Sequence, residues 1–100
     1  MTIRHVVMLK LATEDPSERA EQVARIKAGI ESLPAVVPEI LSFEVGINAL
    51  FSGENHDVVL IGDFADAEAL QRYVDAPAHR EIAGYIRTVV RGRSAVDFEL

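Results

Sequence analysis

The sequence predicts a small α+β domain of order β-α-β-β-α-β, a four-stranded antiparallel sheet carrying its helices on one face. Three observations carry that prediction. Short segments beginning near residues 3, 40, 56 and 94 are rich in β-branched and aromatic residues with strand-like alternation. Longer segments after Asp15 and after Asp66 repeat apolar residues at steps of three and four, as helices do. The helical segments fall before and after the central pair of strands, so two helical layers cover one face of the sheet and leave the other. At 100 residues the chain is one domain, residues 1–100.

The first strand is Ile3 to Leu11, with Ile3, His5, Val7, Leu9 and Leu11 on one face and Arg4, Val6, Met8 and Lys10 on the other. A helix follows. Asp15 is its N-cap, Pro16 its first residue, and Glu18 completes a capping-box pattern. Ala20, Val23, Ile26, Ile30 and Leu33 form its apolar stripe, and Pro34 ends it. Residues 40–48 alternate, with Leu41, Phe43, Val45 and Ile47 on one face. Ser52, Gly53 and Asn55 mark a turn, and residues 56–64 are the third strand, aliphatic on both faces. Asp66 caps the next helix. Pro77 interrupts it and a further helix restarts there, with Ile82, Tyr85, Ile86 and Val89 on its stripe and Gly92 closing it. The fourth strand is "SAVDFEL", with Ser94, Val96, Phe98 and Leu100 against Ala95, Asp97 and Glu99.

Composition excludes several classes of function. Sixteen acidic residues against ten basic ones give a net charge of −6, which disfavours duplex nucleic acid and anionic membrane surfaces. Without cysteine there is no disulfide scaffold, thiol nucleophile or thiolate metal site. The N-terminus "MTIRHVVMLKL" is too short and too charged for a signal peptide, and no apolar run reaches membrane-spanning length, so a cytoplasmic location is expected. There is no phosphate loop, metal-ligand cluster or Ser-His-Asp arrangement.

Strands with one buried face alternate apolar and polar residues. The first and third strands do not. The helices cover only one face, so a second copy is expected to cover the other, sheet against sheet. That arrangement is a homodimer, and its interior is expected to provide an apolar pocket for a small molecule.

Three segments resemble the stress-responsive dimeric α/β-barrel (Dabb) family. "IRHVVMLKL" resembles its opening strand, "HDVVLIGDFADAEALQRYVDAPAHREIAGYIR" its central strand, helix and Pro-x-His element, and "RSAVDFEL" its closing strand. The resemblance spans nearly the whole chain. It implies a ferredoxin-like protomer and a homodimer through the sheets. It also implies mixed biochemistry, since plant members include stress-induced proteins and a polyketide cyclase that closes a linear polyketone by aldol chemistry. Carried over from that cyclase, the catalytic tyrosine falls on Tyr73 and the histidine on His79, and the family's first-strand histidine falls on His5. Many relatives read His-Pro-x-His where this chain has Ala76-Pro77-Ala78-His79, so no role for a first histidine carries over. Some plant relatives hold a divalent metal after the first helix. Here "LPAVVPE" offers only Glu39, and neither a metal nor another cofactor is expected.

His79 is expected in the first turn of the last helix. The positive end of the helix dipole there disfavours imidazolium and suits a general base near neutral pH; the alternative is a surface or cap-supporting histidine. Tyr73 is either a hydrogen-bond donor to a substrate carbonyl or a core aromatic. His5 lines the pocket beside His79 or is a satisfied structural histidine. His56 reads as an exposed residue opening the third strand, Asp63 and Asp66 as turn and cap residues, and Arg87 and Arg91 as helix C-terminal cations. Three functions remain open: a cyclase or isomerase, a non-catalytic stress-associated dimer, and a cofactor-free monooxygenase of the kind other dimeric α/β barrels provide.

Overall fold

The computed structural model describes all 100 residues, Met1–Leu100. Strand β1 (Ile3–Leu11) is central. It pairs antiparallel with β3 (Val58–Phe64) on one side and β4 (Val90–Glu99) on the other, and β2 (Ile40–Ile47) closes the sheet beyond β3, giving the order β2-β3-β1-β4. Helices α1 (Pro16–Glu31), α2 (Ala67–Asp75) and α3 (Pro77–Val89) complete the ferredoxin-like order, with a short 3-10 turn at Leu33–Ala35 between α1 and β2.

Burial follows the pleat. On β1, His5, Val7, Leu9 and Leu11 are buried, and on β3 Val58, Leu60 and Phe64 are. Against them pack Val23, Ile26 and Ile30 of α1, the buried part of its predicted stripe; Ala20 lies at the surface. A second cluster joins Phe64 to Leu33, Val37, Ala69 and Tyr73 beneath α2. Each large apolar side chain withdrawn from water contributes about 1.5–3 kcal/mol, so these positions fix which face meets the helices.

Several local expectations are corrected. The capping box of α1 does not close. The Asp15 side chain does accept from the Ser17 N–H, but the Asp15 N–H donates to Thr13 Oγ1 at 3.1 Å, which leaves Glu18 nothing to bind there. In β2 the register shifts between Ile40 and Ser42, so Ile40 takes the inner position opposite Phe64 and Leu41 is left outside. Asp63 is not a turn residue. It lies on β3 opposite Arg4, which donates to both its carboxylate oxygens at 2.9 and 3.0 Å. His56 is half-buried and precedes β3, which begins at Val58. Its neighbour Asp57 is buried and accepts the Leu11 N–H at 2.8 Å. Helix α3 passes into β4 at Val90 without a closing glycine, so Arg91 and Gly92 are strand residues, and an irregularity between Lys10 and Leu11 absorbs the sharp connection.

The face away from the helices holds Val6, Met8, Val59 and Ile61, as the two-sided pattern of β1 and β3 predicts. Strand β4 adds Val96 and Phe98, paired with Val6 and Arg4. Met8, Val96 and Phe98 are 39%, 59% and 43% exposed, a contiguous apolar surface with nothing over it in the single chain.

Candidate functional site

The break at Pro77 builds the site. A residue before proline is driven to extended backbone, and Ala76 has φ −61° and ψ 136°. Helix α2 ends there and Pro77 starts α3 as its first residue. Because the helix does not continue, the Val74 carbonyl has no partner from the following turn. His79 supplies one, with Nδ1 3.0 Å from Val74 O. A carbonyl only accepts, so Nδ1 carries the proton and Nε2 keeps its lone pair. The bond to the end of α2 thus fixes both the ring's orientation and its tautomer.

The rings of His79 and Tyr73 meet at 4.5 Å between centroids. Tyr73 is 1% exposed, edge-on to Phe43 and His5 and tilted against Phe64. Its hydroxyl makes no hydrogen bond within the chain, yet the one fully occluded side-chain polar atom without a partner is Gln22 Oε1. The phenol therefore remains open to the cavity it lines. His5 reaches the same cavity from β1. Its Nδ1 donates to Asp97, which the β1–β4 register places directly opposite.

This cavity has a volume of about 330 Å³ and lies between the sheet and α3. Val7, Leu9 and Leu60 form its floor, Ile82 and Ile86 its roof, and Ile30 its inner end. This cavity is on the helix side of the sheet, away from the face on which a second copy is expected. The reason is the composition of β4. Its helix-side positions are Arg93, Ala95 and Asp97, opposite Leu9, Val7 and His5, and none is a large apolar residue that would fill the layer.

The electrostatics are set first by burial. Desolvation lowers the pKa of His79 below 6.5; the bond to Val74 opposes this, and the charges of His5, Arg87 and Arg93 add to it. The imidazole is thus held neutral mainly by burial, where the sequence pointed to the helix dipole. Burial raises the pKa of Tyr73, against a smaller opposing effect of Arg93, so the phenol stays protonated.

All three candidates from the sequence, His5, Tyr73 and His79, are brought to one cavity. Sequence reasoning missed Asp97, whose role depends on strand register, and Arg93. It also read Arg87 as a purely helix-terminal cation, whereas Arg87 lines the cavity. Glu39 is engaged by Arg72 at 3.1 Å. Asp66 caps α2 as expected, accepting from the Ala69 N–H at 2.8 Å.

Fold and site together define a ferredoxin-like α+β protein with a half-open cavity between sheet and helices, ringed by two imidazoles and a phenol. The profile of the stress responsive A/B barrel domain, Dabb, matches residues 3–100, and the chain belongs to that family. Among solved structures it is similar to a dimeric ferredoxin-like protein of unknown function from Bacteroides fragilis, at 28% identity and a TM-score of 0.90 over 99% of this chain and 96% of that one. A dimeric ferredoxin-like protein of unknown function from Thermobifida fusca is 27% identical, with a TM-score of 0.83 over 100% and 92%. The hydroxynitrile lyase of Passiflora edulis shares the fold, with a TM-score of 0.79 over 99% and 93% at 14% identity. No curated protein matches the chain.

Proposed function

We propose that this protein is a small-molecule enzyme of cyclase or isomerase type that moves a proton at a carbon next to a carbonyl, and that it works as a homodimer. One observation carries the catalytic reading. A neutral imidazole with a free Nε2 and a protonated phenol without a protein partner stand side by side at one apolar cavity. His79 Nε2 takes the α-proton, and Tyr73 donates to the carbonyl oxygen as negative charge develops on it. In a cyclisation the enolate carbon bonds to a second carbonyl of the same molecule. That oxygen then receives the proton held by His79, either directly or by relay through His5, whose ring is oriented by Asp97 and which His79 reprotonates, so the enzyme returns to its starting state with no net proton gained.

The homodimer rests on the apolar outer face of the sheet and on the dimeric state of the similar Bacteroides and Thermobifida proteins. Pairing there leaves the cavity free, because the cavity is on the opposite face.

Linear poly-β-carbonyl compounds incubated in D2O and followed by NMR test the reaction. The expected result is deuterium at the α-carbon or a cyclised product with the wild-type chain and neither with His79→Ala. Equal rates in both would remove His79 from the chemistry. No reaction with any of them would leave a binding protein rather than an enzyme.

A further inference from the structure

We infer that the cavity selects carbonyl compounds bearing a carboxylate at one end of an apolar chain, and that Arg87 and Arg93 hold that carboxylate. The inference rests on the reading of the cavity as a substrate site and adds the substrate's class.

The chain has sixteen acidic residues and ten basic ones, yet no Asp or Glu lines this cavity. Its charged or ionisable lining groups are His5, His79, Arg87 and Arg93, with the Tyr73 phenol. Elsewhere the arginines are occupied, except Arg91, which is exposed on β4 and does not line the cavity. Arg4 pairs with Asp63, Arg19 with Asp57, Arg72 with Glu39, Arg80 with Asp75, and Arg25 lies 3.8 Å over the ring of Tyr85. Arg87 and Arg93 pair with no carboxylate of the chain, although Asp97 and Glu99 share the helix side of β4 with Arg93. Helix α3 brings Arg87 to the cavity from one side and β4 brings Arg93 from the other. Both charges are felt at His79. The walls beyond them are aliphatic, and the matching ligand has an apolar body, a carbonyl at the His79–Tyr73 end and an oxyanion between the guanidiniums. A guanidinium fork grips a planar carboxylate through two parallel N–H donors.

A series of oxodecanoic acids, with the ketone at positions 3 to 6, and their methyl esters provides the test. Affinity is measured by isothermal titration calorimetry at two salt concentrations, and α-deuterium exchange by NMR in the same samples. At least one acid is expected to bind about tenfold more tightly than its ester, the scale of one charge-assisted hydrogen bond. The preference should weaken with salt and collapse towards unity in the Arg87→Gln/Arg93→Gln chain. Both side chains are exposed, and circular dichroism checks that the variant folds. If every acid binds no better than its ester, or the preference survives in the double variant, the inference is overturned, and exchange of both compounds would still support the catalytic reading. A preference for acid without any exchange would keep carboxylate recognition and remove the catalytic reading.

Discussion

The rings of Tyr73 and His79 lie 4.5 Å apart at an angle of 57°, although a proline-induced break separates the helices that carry them. The break produces the contact. It frees the Val74 carbonyl, His79 Nδ1 donates to it, and the imidazole is drawn back over the end of α2 onto the phenol. Each of these cavity-lining residues thereby keeps one complementary atom without a partner in the chain: an acceptor nitrogen on His79 and a donor hydroxyl on Tyr73.

The pH profile follows from His79. Its pKa is lowered from 6.5, so the neutral base persists through neutral pH. Activity is expected to stay level on descending to 6.5 and to fall only below it. The sign for stability is the same. The unfolded chain binds the proton first, so His79's contribution is fully present above about 6.5 and is lost as pH falls through the folded pKa. An NMR titration of the His79 ring checks this, and a midpoint above 6.5 would refute it.

Removing only the Tyr73 hydroxyl should separate chemistry from packing. Tyr73→Phe is expected to reduce turnover by about 100- to 1000-fold, the scale of one lost oxyanion donor, with nearly unchanged stability because the hydroxyl has no partner in the chain. Tyr73→Ala should cost about 3–5 kcal/mol by opening a cavity among Phe43, Phe64 and Leu33. Urea denaturation measures both.

In the proposed mechanism Asp97 positions His5, to which it is hydrogen-bonded across the β1–β4 register. Asp97→Ala should lower turnover on the order of 100-fold while the chain remains folded. Ring nitrogen chemical shifts provide the readout that a structural role would not move. His5 is expected to lose its fixed Nδ1–H form in the variant. An unchanged His5 spectrum would show that the pair does not set its state.

Gly62 holds space for the aromatic wall of the site. A Cβ there would lie 2.6 Å from Phe43 Cε1 and 3.2 Å from Phe64 Cε2. Gly62→Ala should destabilise the fold by about 1–3 kcal/mol through overpacking and shift Phe43 against Tyr73. A melting temperature equal to wild type would contradict this packing.

The outer face of the sheet predicts its own disruption. Phe98→Glu places a charge on a 43% exposed apolar residue near the end of β4's outward row, beside Val96. Sedimentation should find a dimer for the wild-type chain and a monomer for the variant. Persistence of the dimer would place the interface elsewhere.

The outline of this fold is legible because period and punctuation are local signals. The alternation in β1 and β3, the stripe of α1 and the proline between α2 and α3 each need only a few neighbouring residues to be read. Where neighbours compete, the local reading failed. Thr13 displaced Glu18 from the α1 cap, and the register shift in β2 expelled Leu41 in favour of Ile40.

By itself the sequence determined the order of elements, the helix-covered face of β1, the uncovered apolar face and the positions of His5, Tyr73 and His79. All are set by side-chain type and spacing along the chain. Tertiary structure decided that Asp97 orients His5, that Arg87 and Arg93 reach one cavity, and that the cavity lies on the helix side of the sheet. Those facts depend on the register between β1 and β4, residues about ninety positions apart in sequence. No local pattern encodes that register; it is set when the buried face of β1 closes against the helices and β4 is drawn in beside it.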